Sequence, residues 1–348
     1  MSKTLLIKNR CIIACAGSGK TTSLVEEALK ITDSTVLITT YTIENVDQIN
    51  RCIIEQNGFI PRNIIVLSWF AFLLREGIRP YQNHISGNSR ARSILFQAGG
   101  NAFHKKENYF TSMEDVYSNK ASEFVVECNN ISNGLVVRRL EKIYTHIFVD
   151  ELQDLAGYDL NFLELLFASS TYITLVGDPR QSTYSTNHSR KNKRFQGKNI
   201  REWLIEQEKA GAISIEEKIE CHRCNQYICD FADSLFPCLP KAVSKNFIVT
   251  GHDGIFRISS VDVVRYIETY NPVILRYDKR ANTLSNHAIN IGLTKGRTYD
   301  RVLIFPTTKM SNFLSKKDPD KAGDLSKFYV AVTRARYSVA FVTENNKS

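Results

Sequence analysis

IIACAGSGKTTSLVEEALK, residues Ile12–Lys30, joins an apolar run, a glycine-rich turn and an amphipathic stretch. A strand that passes through glycines into a helix turns its backbone N–H groups toward a phosphate chain. Lys20 would then reach the β- and γ-phosphates, and Thr21 would offer a hydroxyl to Mg²⁺. A purely structural turn is the alternative. The phosphate-loop hypothesis covers Ala14, Cys15, Ala16, Gly17, Ser18, Gly19, Lys20, Thr21 and Thr22.

Length and composition narrow the class of protein. With 348 residues, of which 43% are hydrophobic, the chain can form two or more domains with cores of their own. No apolar run reaches the roughly 18 residues of a membrane span, and the first residues, MSKTLLIKNR, are too short and polar for a secretion signal. Eight cysteines without such a signal are typical of free thiols. We therefore expect a cytoplasmic protein.

The order of predicted elements indicates an α/β fold with parallel sheets. Short β-branched runs, namely TVLITTYT, NIIVLSWF, YTHIFVD and YITLVGD, alternate with helix-like stretches. Ligands gather beyond the carboxyl ends of such strands, where Thr40, Ser68, Asp150 and Asp178 fall. A second series begins near AISIEEKI and continues with PVILRYD, AINIGLTKG, RVLIFPT and YSVAFVT. We predict a first domain over residues 1–205, with a polar insertion at about 76–144, and a second domain over residues 206–348.

The stretch IFVDELQD places two acidic residues, Asp150 and Glu151, at the end of a predicted strand. Phosphoryl transfer to water needs one carboxylate to hold Mg²⁺ and a second group to orient or deprotonate the water. Asp150 suits the first role and Glu151 the second. Adjacent acids after a strand also occur as ordinary helix N-caps, which is the alternative.

Seven motifs follow one another in an order that resembles one family. They read ACAGSGKT, ITTYTIENVDQI, VDELQD, VGDPRQSTY, CHRC, LTKGRTYDRVLI and YVAVTRAR, and they extend from Ala14 to Arg336. The series is similar to the motifs of the UvrD/Rep/PcrA-type superfamily 1 DNA helicases. The resemblance implies a P-loop NTPase with two RecA-like domains in tandem, a small insertion in the first domain and almost none in the second. The chain also resembles the UvrD-like subunit of the Gabija anti-phage system.

The same resemblance implies roles around a bound ATP and Mg²⁺, with hydrolysis in the cleft between the two domains. Gln181 would sense the γ-phosphate and couple its hydrolysis to strand movement. Arg223 and Arg334 would reach from the second domain, because a planar cation suits the charge that develops on the transferring phosphate. His222 and Gly296 would lie beside the nucleotide. Lys20 and Glu151 complete the expected catalytic set.

A single nucleic-acid strand is expected to lie against the first domain, since the family holds it by hydroxyl and backbone contacts to phosphates and by aromatic faces under the bases. The matching positions are Thr40, Tyr41 and Thr42, then Ser68, Trp69 and Phe70, and finally Tyr184. The alternative is that Trp69 and Phe70 belong to the core of the first sheet.

The chain departs from the family pattern after Tyr184, where it reads STNHSRKNKRF. The stacking aromatic that the family usually carries there is missing, and a basic run from His188 to Arg201 takes its place. The formal net charge of +9 agrees with a polyanionic partner. A solvated loop is the alternative. We expect the cations of this run to contact phosphates, namely Arg190, Lys191, Lys193 and Arg194.

Four cysteines raise a separate question. Cys221-x-x-Cys224, followed by Cys229 and Cys238, has the spacing of half a zinc or iron–sulfur site. The alternative is that Cys229 lies in a helix, NQYICDFADSLF, whose apolar face is buried without a metal. The sequence alone leaves both interpretations open.

Two functions are consistent with the sequence. The first is an ATP-dependent DNA helicase or translocase that moves 3′ to 5′ on single-stranded DNA or from a junction of single and double strands. The second is a nucleic-acid-activated NTPase that switches a partner, such as a separately encoded nuclease in anti-phage defence, without processive unwinding. A P-loop kinase is disfavoured because Gln181, Arg223 and Arg334 are all present. The sequence does not distinguish DNA from RNA.

Overall fold

The computed structural model describes residues 8–87, 90–99, 105–186 and 189–343. Its contacts divide the chain into two compact units. The first unit takes in the described residues within Met1–Ile13, Lys20–Pro179 and Tyr184–Glu217. The second takes in Ala14–Gly19, Arg180–Thr183 and the described residues from Lys218 onward. Two short segments that precede Lys218 therefore belong to the second unit.

The first unit is built on a six-stranded sheet with the order β3-β2-β6-β7-β1-β8. Neighbouring strands from β3 through β1 run parallel, and the β-branched residues of β1, β2, β6 and β7 are buried. The strands are β1 (Arg10–Ala14), β2 (Val36–Thr40), β3 (Ile64–Ser68), β6 (His146–Val149), β7 (Tyr172–Gly177) and β8 (Ser214–Lys218). A separate parallel pair is formed by β4 (Ile94–Leu95) and β5 (Val116–Tyr117).

Helices of the first unit connect these strands. Thr42 caps α2 by accepting a hydrogen bond from the N–H of Asn45, and Ser68 caps α3 in the same way through the N–H of Ala71. The helices are α1 (Lys20–Leu29), α2 (Ile43–Asn57), α3 (Trp69–Phe72), α4 (Asn83–Ser86), α5 (Lys105–Tyr109), α6 (Ala121–Ile131), α7 (Leu135–Ile143), α8 (Tyr158–Phe167) and α9 (Ile200–Lys209). A π-helical segment, Leu73–Ile78, continues α3.

The second unit is built on a five-stranded parallel sheet with the order β11-β15-β14-β12-β13. Apolar side chains cover both of its faces, one packed by α10, α12 and α13 and the other by α11. The elements are β9 (Glu220–Cys221), α10 (Gln226–Asp233), β10 (Val243–Ser244), β11 (Gly254–Ser259), α11 (Val263–Tyr270), β12 (Val273–Arg276), β13 (Ile289–Asn290), β14 (Tyr299–Phe305), α12 (Thr308–Lys316), α13 (Leu325–Val332) and β15 (Ala335–Thr343). The connection from β12 to β13 spans only residues 277–288.

The α/β class with parallel sheets is confirmed, but one predicted strand belongs to the other series. The sequence predicts that AISIEEKI opens the second series, whereas its strand β8 completes the first sheet beside β1. The N–H of Ser214 donates to the carbonyl of Asn9, the residue before β1, at 3.0 Å. The strand β8 thus covers the edge of β1 that β7 leaves open. The strand β11 was not predicted. Among the described residues, no helix has the length and apolar character needed to cross a membrane.

Candidate nucleotide and nucleic-acid sites

A hydroxyl and a carboxylate meet at the carboxyl edge of the first sheet. Thr21 is the second residue of α1, and Asp150 directly follows β6. The Thr21 hydroxyl donates to Oδ2 of Asp150 at 3.0 Å, and the N–H of Glu151 donates to Oδ1 at 2.9 Å. The structure therefore brings the predicted Mg²⁺ ligands into direct contact, with oxygen atoms of the kind that Mg²⁺ prefers.

Asp150 is a buried carboxylate with an unusual titration. Burial, followed by the charge of Glu151, raises the pKa of Asp150 to about 6. The charge of Lys20 and the hydrogen bond from Thr21 act on this pKa in the opposite direction. A group that is costly to ionise in the absence of a cation is well suited to hold one, because a bound divalent ion favours its charged form.

Glu151 is oriented by its backbone and by a glutamine. It adopts a left-handed conformation with φ 58°, which turns the chain sharply after β6. The side-chain amide of Gln153 donates to Glu151, and its carbonyl oxygen accepts from the N–H of Asp178 at 3.0 Å. A Cβ added at Gly177 would lie 2.6 Å from that same oxygen. Gln153 thus links the two strand ends after β6 and β7, a role that the sequence motifs did not assign.

The phosphate-loop segment Ala14–Gly19 packs within the second unit. The N–H of Ala16 donates to the hydroxyl of Tyr329 at 3.3 Å, and the carbonyl of Gly17 accepts from the N–H of His222 at 2.8 Å. Gly17 has φ 76°, and a Cβ added there would come within 2.5 Å of the Cβ of Arg223. Only glycine fits this approach. The predicted loop therefore adjoins the predicted His222 and Arg223.

Arg334 and Gln181 are also brought together in the second unit. The guanidinium of Arg334, 1% exposed, donates to Oε1 of Gln181 at 3.3 Å. Arg223 donates to the carbonyl of Thr333 at 3.1 Å. Other acceptors around the Arg334 guanidinium include the carbonyls of Val330, Thr294 and Arg297 and the hydroxyl of Thr333. A phosphate that binds Arg334 must displace at least one of them.

Two further predicted nucleotide contacts lie on exposed or turning backbone. Thr22 is exposed on α1, one residue after Thr21. Gly296 follows the short 3₁₀ helix Ile291–Thr294 with φ 82°, a left-handed conformation that favours glycine.

Four thiols lie together in the second unit, and they are not the four singled out in the sequence. Cys221 is hydrogen-bonded to the thiols of Cys15, Cys224 and Cys229, which holds the pKa of Cys221 well below its usual range. Cys229 lies on the buried face of α10, as the helix-packing alternative expects, whereas Cys238 is exposed. Within the described part of the chain, no group of three or more His, Cys, Asp or Glu side chains is arranged to hold a metal ion.

The first unit carries an aromatic pocket of about 480 Å³ at the end of β2 and β3. Tyr41 lies 5.9 Å from Tyr184 and 6.1 Å from Phe70 between ring centroids, and Phe96 meets Phe70 edge-on at 5.1 Å. The lining consists of Tyr41, Thr42, Ile43, Glu44, Ser68, Phe70, Ala71, Leu74, Ile94, Phe96 and Tyr184. Five of the predicted nucleic-acid residues therefore line one pocket, namely Tyr41, Thr42, Ser68, Phe70 and Tyr184.

Phe96 is the pocket residue that sequence reasoning missed. It belongs to the polar insertion, follows β4, and is 72% exposed although it is a large apolar side chain. No motif marks it. The only signal in the sequence is an apolar triplet, Ile94–Phe96, in an otherwise polar segment.

The structure corrects the assignment of Trp69. Its side chain is 1% exposed, packs against Phe72 and Phe162, and donates its indole N–H to Asp159 at 2.8 Å. Phe70 is also buried in this core, at 5% exposed, but successive residues at the start of a helix point about 100° apart, so Phe70 still lines the pocket while Trp69 points away from it. Thr40 is also buried, and its hydroxyl accepts from the side-chain amide of Asn45 at 3.3 Å.

The basic run keeps its charges at the surface. Arg190, Lys191, Lys193 and Arg194 are all exposed. Arg194 is paired with Glu206 at 3.2 Å and lies over the ring of Phe195, 4.3 Å from its centroid. His188 lies outside the described residues. The buried ring of Phe195 anchors the run to the first unit.

One segment of the chain matches a known protein family. Residues 81–193 match the UvrD/REP helicase N-terminal domain family. This segment contains Asp150, Glu151 and Gln181 and begins after the phosphate loop. The match confirms the UvrD-type resemblance and, with the two α/β units, the tandem RecA-like P-loop fold. No curated protein is similar enough in sequence to match the chain.

Solved structures of arterivirus helicases are similar over nearly the whole chain. The crystal structure of arterivirus nonstructural protein 10 matches with 16% identity and a TM-score of 0.50, over 96% of this chain and 59% of that one. An arterivirus nonstructural protein 10 in complex with DNA matches with 13% identity and a TM-score of 0.51, over 98% and 62%. The likeness at these identities is one of fold. The chain spans about 59% to 62% of the length of these helicases.

Proposed function

We propose, on the premise that the chain is a UvrD-like superfamily 1 helicase with two RecA-like units, that it hydrolyses ATP when a single nucleic-acid strand is bound and moves along that strand. The observation that supports this most is that one unit holds both the Thr21–Asp150–Glu151 site and the aromatic pocket. The first suits phosphoryl transfer and the second suits a base.

Hydrolysis is assigned to the residues around Asp150. Lys20 binds the β- and γ-phosphates, and Glu151, oriented by Gln153, accepts the proton of the attacking water. The oxygen atoms of Thr21 and Asp150 fit Mg²⁺, which supplies charge neutralisation at the phosphates when bound. Gln181, Arg223 and Arg334 stabilise the γ-phosphate, so removal of either arginine should lower turnover more than nucleotide binding.

The strand is assigned to the aromatic pocket and the basic run. Pocket volumes of a few hundred Å³ accommodate a small ligand, and base stacking on aromatic rings is worth about 1–3 kcal/mol per base. A helicase of similar fold was solved in complex with DNA, which supports nucleic acid as the class of partner. We propose single-stranded DNA as the first substrate to test, at a single strand or at its junction with a duplex.

Stimulated hydrolysis tests this function. ATPase activity is measured for the whole chain without nucleic acid and with single-stranded DNA, single-stranded RNA or duplex DNA. Phe96→Ala and Tyr184→Ala should weaken single-strand binding by roughly 5- to 150-fold, corresponding to about 1–3 kcal/mol. Phe59→Ala is the matched control, because Phe59 is an exposed aromatic of the same unit that does not line the pocket. Hydrolysis that is indifferent to every nucleic acid would reject the proposal.

Movement from 3′ to 5′ is the expected polarity, as in the family that the motifs resemble. Strands of equal length that carry a bound protein block at either end distinguish the directions. Faster ATP-dependent displacement of the block at the 5′ end supports this polarity, and faster displacement at the 3′ end contradicts it.

The short connection between β12 and β13 favours a second candidate function. Only residues 277–288 lie there, so the second unit has almost no insertion with which to engage a duplex. The chain would then act as a nucleic-acid-activated NTPase that switches a partner such as a separate nuclease, as in anti-phage defence. Strand-stimulated hydrolysis without displacement of any block would favour this function over translocation.

A further inference from the structure

Asp159 carries a buried carboxylate on which four hydrogen bonds converge. It lies in the first turn of α8 and is 1% exposed. Oδ1 accepts from the indole N–H of Trp69 at 2.8 Å and from the hydroxyl of Ser122. Oδ2 accepts from the N–H of Ala156 at 3.1 Å and from the hydroxyl of Thr186. The four donors come from four different segments of the first unit.

A buried carboxylate is retained at a cost. Burial raises the pKa of Asp159, and the four hydrogen bonds lower it. Each donor loses its acceptor if the carboxylate is removed, and an unsatisfied buried donor costs about 1–3 kcal/mol. An apolar residue would stabilise a plain core equally well, so the carboxylate points to a role in fixing the relative positions of its donors.

Two donors lie next to pocket residues in the chain, although neither donor lines the pocket itself. Trp69 lies between Ser68 and Phe70, which both line the pocket. Thr186 lies two residues after Tyr184, which also lines the pocket. Asp159 therefore accepts hydrogen bonds from two segments that contribute residues to the pocket, although Asp159 does not line the pocket itself.

The other hydrogen bonds lead toward the carboxylates of the hydrolysis site. The N–H of Ala156 also donates to the hydroxyl of Thr186 at 3.0 Å, and the N–H of Thr186 donates to the carbonyl of Asp154 at 2.9 Å. Asp154 adjoins Gln153, whose amide donates to Glu151. A continuous set of hydrogen bonds and peptide bonds thus connects the back of the pocket to Glu151.

We propose that Asp159 is a positioning residue that transmits occupancy of the aromatic pocket to Glu151, so that a bound strand stimulates hydrolysis through it. The inference rests on the proposed function, since it requires that the strand occupies the pocket. A base that moves Phe70 or Tyr184 shifts the donors on Asp159. The segment Asp154–Ala156 then shifts with them, and Gln153 reorients Glu151 toward the water.

The donors can be removed one at a time by substitution. Thr186→Val removes a hydroxyl on the proposed route, and Thr186→Ser restores it. Trp69→Phe removes the indole N–H but keeps an aromatic side chain in the core. Ser122→Ala is the matched control, because it also removes one hydroxyl donor to Asp159 but belongs to α6, which has no residue in the pocket.

For each variant, we would measure basal turnover, maximal turnover with saturating single-stranded DNA, the DNA concentration for half-maximal effect, and the thermal midpoint. Thr186→Val and Trp69→Phe should keep basal turnover within about twofold of the wild type, while the stimulation factor falls at least about fivefold, the lower end of usual site-to-site coupling. Ser122→Ala should lower the thermal midpoint similarly but keep the stimulation factor, and Thr186→Ser should restore it.

The results separate this inference from the proposed function. A wild-type protein that no strand stimulates rejects the proposed function, and the positioning role with it. A stimulated wild type whose Thr186→Val and Trp69→Phe variants are stimulated equally well rejects only the positioning role. Equal loss of stimulation in Ser122→Ala and Thr186→Val also rejects it, because the carboxylate would then serve stability alone.

Discussion

Lys20 and Glu151 are expected to act at different stages of hydrolysis. In the proposed function Lys20 would bind the phosphates of the nucleotide, whereas Glu151 would act on the attacking water. We predict that Lys20→Ala and Glu151→Gln both abolish turnover, but that only Lys20→Ala loses nucleotide affinity, by about tenfold or more. Equilibrium binding of a fluorescent ATP analogue checks this. Lys30→Ala, an exposed lysine directly after α1, is the control. Equal loss of affinity in both variants would contradict the assigned roles.

Gly177 is expected to be intolerant of any side chain. A Cβ there would lie 2.6 Å from Oε1 of Gln153 and 3.1 Å from the Cβ of Leu152. We predict that Gly177→Ala lowers the free energy of unfolding by about 1–3 kcal/mol, as overpacking does. Denaturant unfolding measures this. The double variant Gly177→Ala/Gln153→Ala removes the amide in the way and should be more stable than the sum of its single variants implies. If the changes in the free energy of unfolding of the two single variants simply add, the contact between the new Cβ and Gln153 is not the source of the strain.

At the scale of single residues, the sequence predicted which chemical groups meet better than it predicted which side chains are buried. Thr21, Asp150 and Glu151 form the expected arrangement because their motif specifies backbone geometry. Trp69 and Phe70 are adjacent aromatic residues and both are buried in the core, yet only Phe70 also lines the pocket. That difference depends on Asp159, which is 90 residues away in the chain, so no local pattern could reveal it.

Among the elements, the exposed run around Arg190–Arg194 carries a testable electrostatic expectation. We predict that neutralising its four cations weakens single-strand binding and lowers the log–log salt slope by roughly 0.7 for each phosphate that is no longer neutralised. The decrease should be nearer that of three phosphates than of four, because Arg194 is already paired with Glu206. Affinities measured over a range of salt concentrations give the slope.

A charge-matched variant controls for the change in net charge. It neutralises four exposed cations elsewhere in the first unit, namely Lys30, Arg51, Arg62 and Lys209. Its slope should stay close to that of the wild type because long-range attraction is screened at moderate salt. If both variants flatten the slope equally, the run is a solvated surface and not a phosphate-binding element.

Element identity was predictable where hydrophobic runs are long and β-branched, as in β2, β3, β6 and β7. It was harder to predict which sheet each strand joins. AISIEEKI has the pattern of a strand, but nothing in it states that β1 is its neighbour. GIFRIS, the strand β11, was missed because its Gly and Arg interrupt the apolar pattern, although β15 pairs with it along its whole length. The pocket residue Phe96 was not predicted either, because its place in the pocket depends on contact with Phe70 and not on the pattern of its own segment.

For the whole molecule, we predict hydrolysis without efficient unwinding. The motifs for hydrolysis are complete, whereas the second unit has only residues 277–288 where an insertion would engage a duplex. The purified chain, at limiting concentration, should show strand-stimulated ATPase activity but separate long duplexes far less often per ATP than short ones. Single-turnover unwinding of duplexes of increasing length checks this. Robust unwinding of long duplexes by the monomer would contradict it.

The position of β1 in the first sheet has a consequence for biosynthesis. Its residues pair with β7, Arg10 with Thr174 and Ile13 with Gly177, and its other edge is covered by β8. A ribosome adds about 5–20 residues per second, so β1 waits on the order of ten seconds for its first partner strand. During that time Cys11–Ala14, which is entirely apolar, has no neighbouring strand to join. We therefore expect β1 to wait longest among the strands of the first sheet for a partner, and the predicted nucleotide site to form only after β7 has been made.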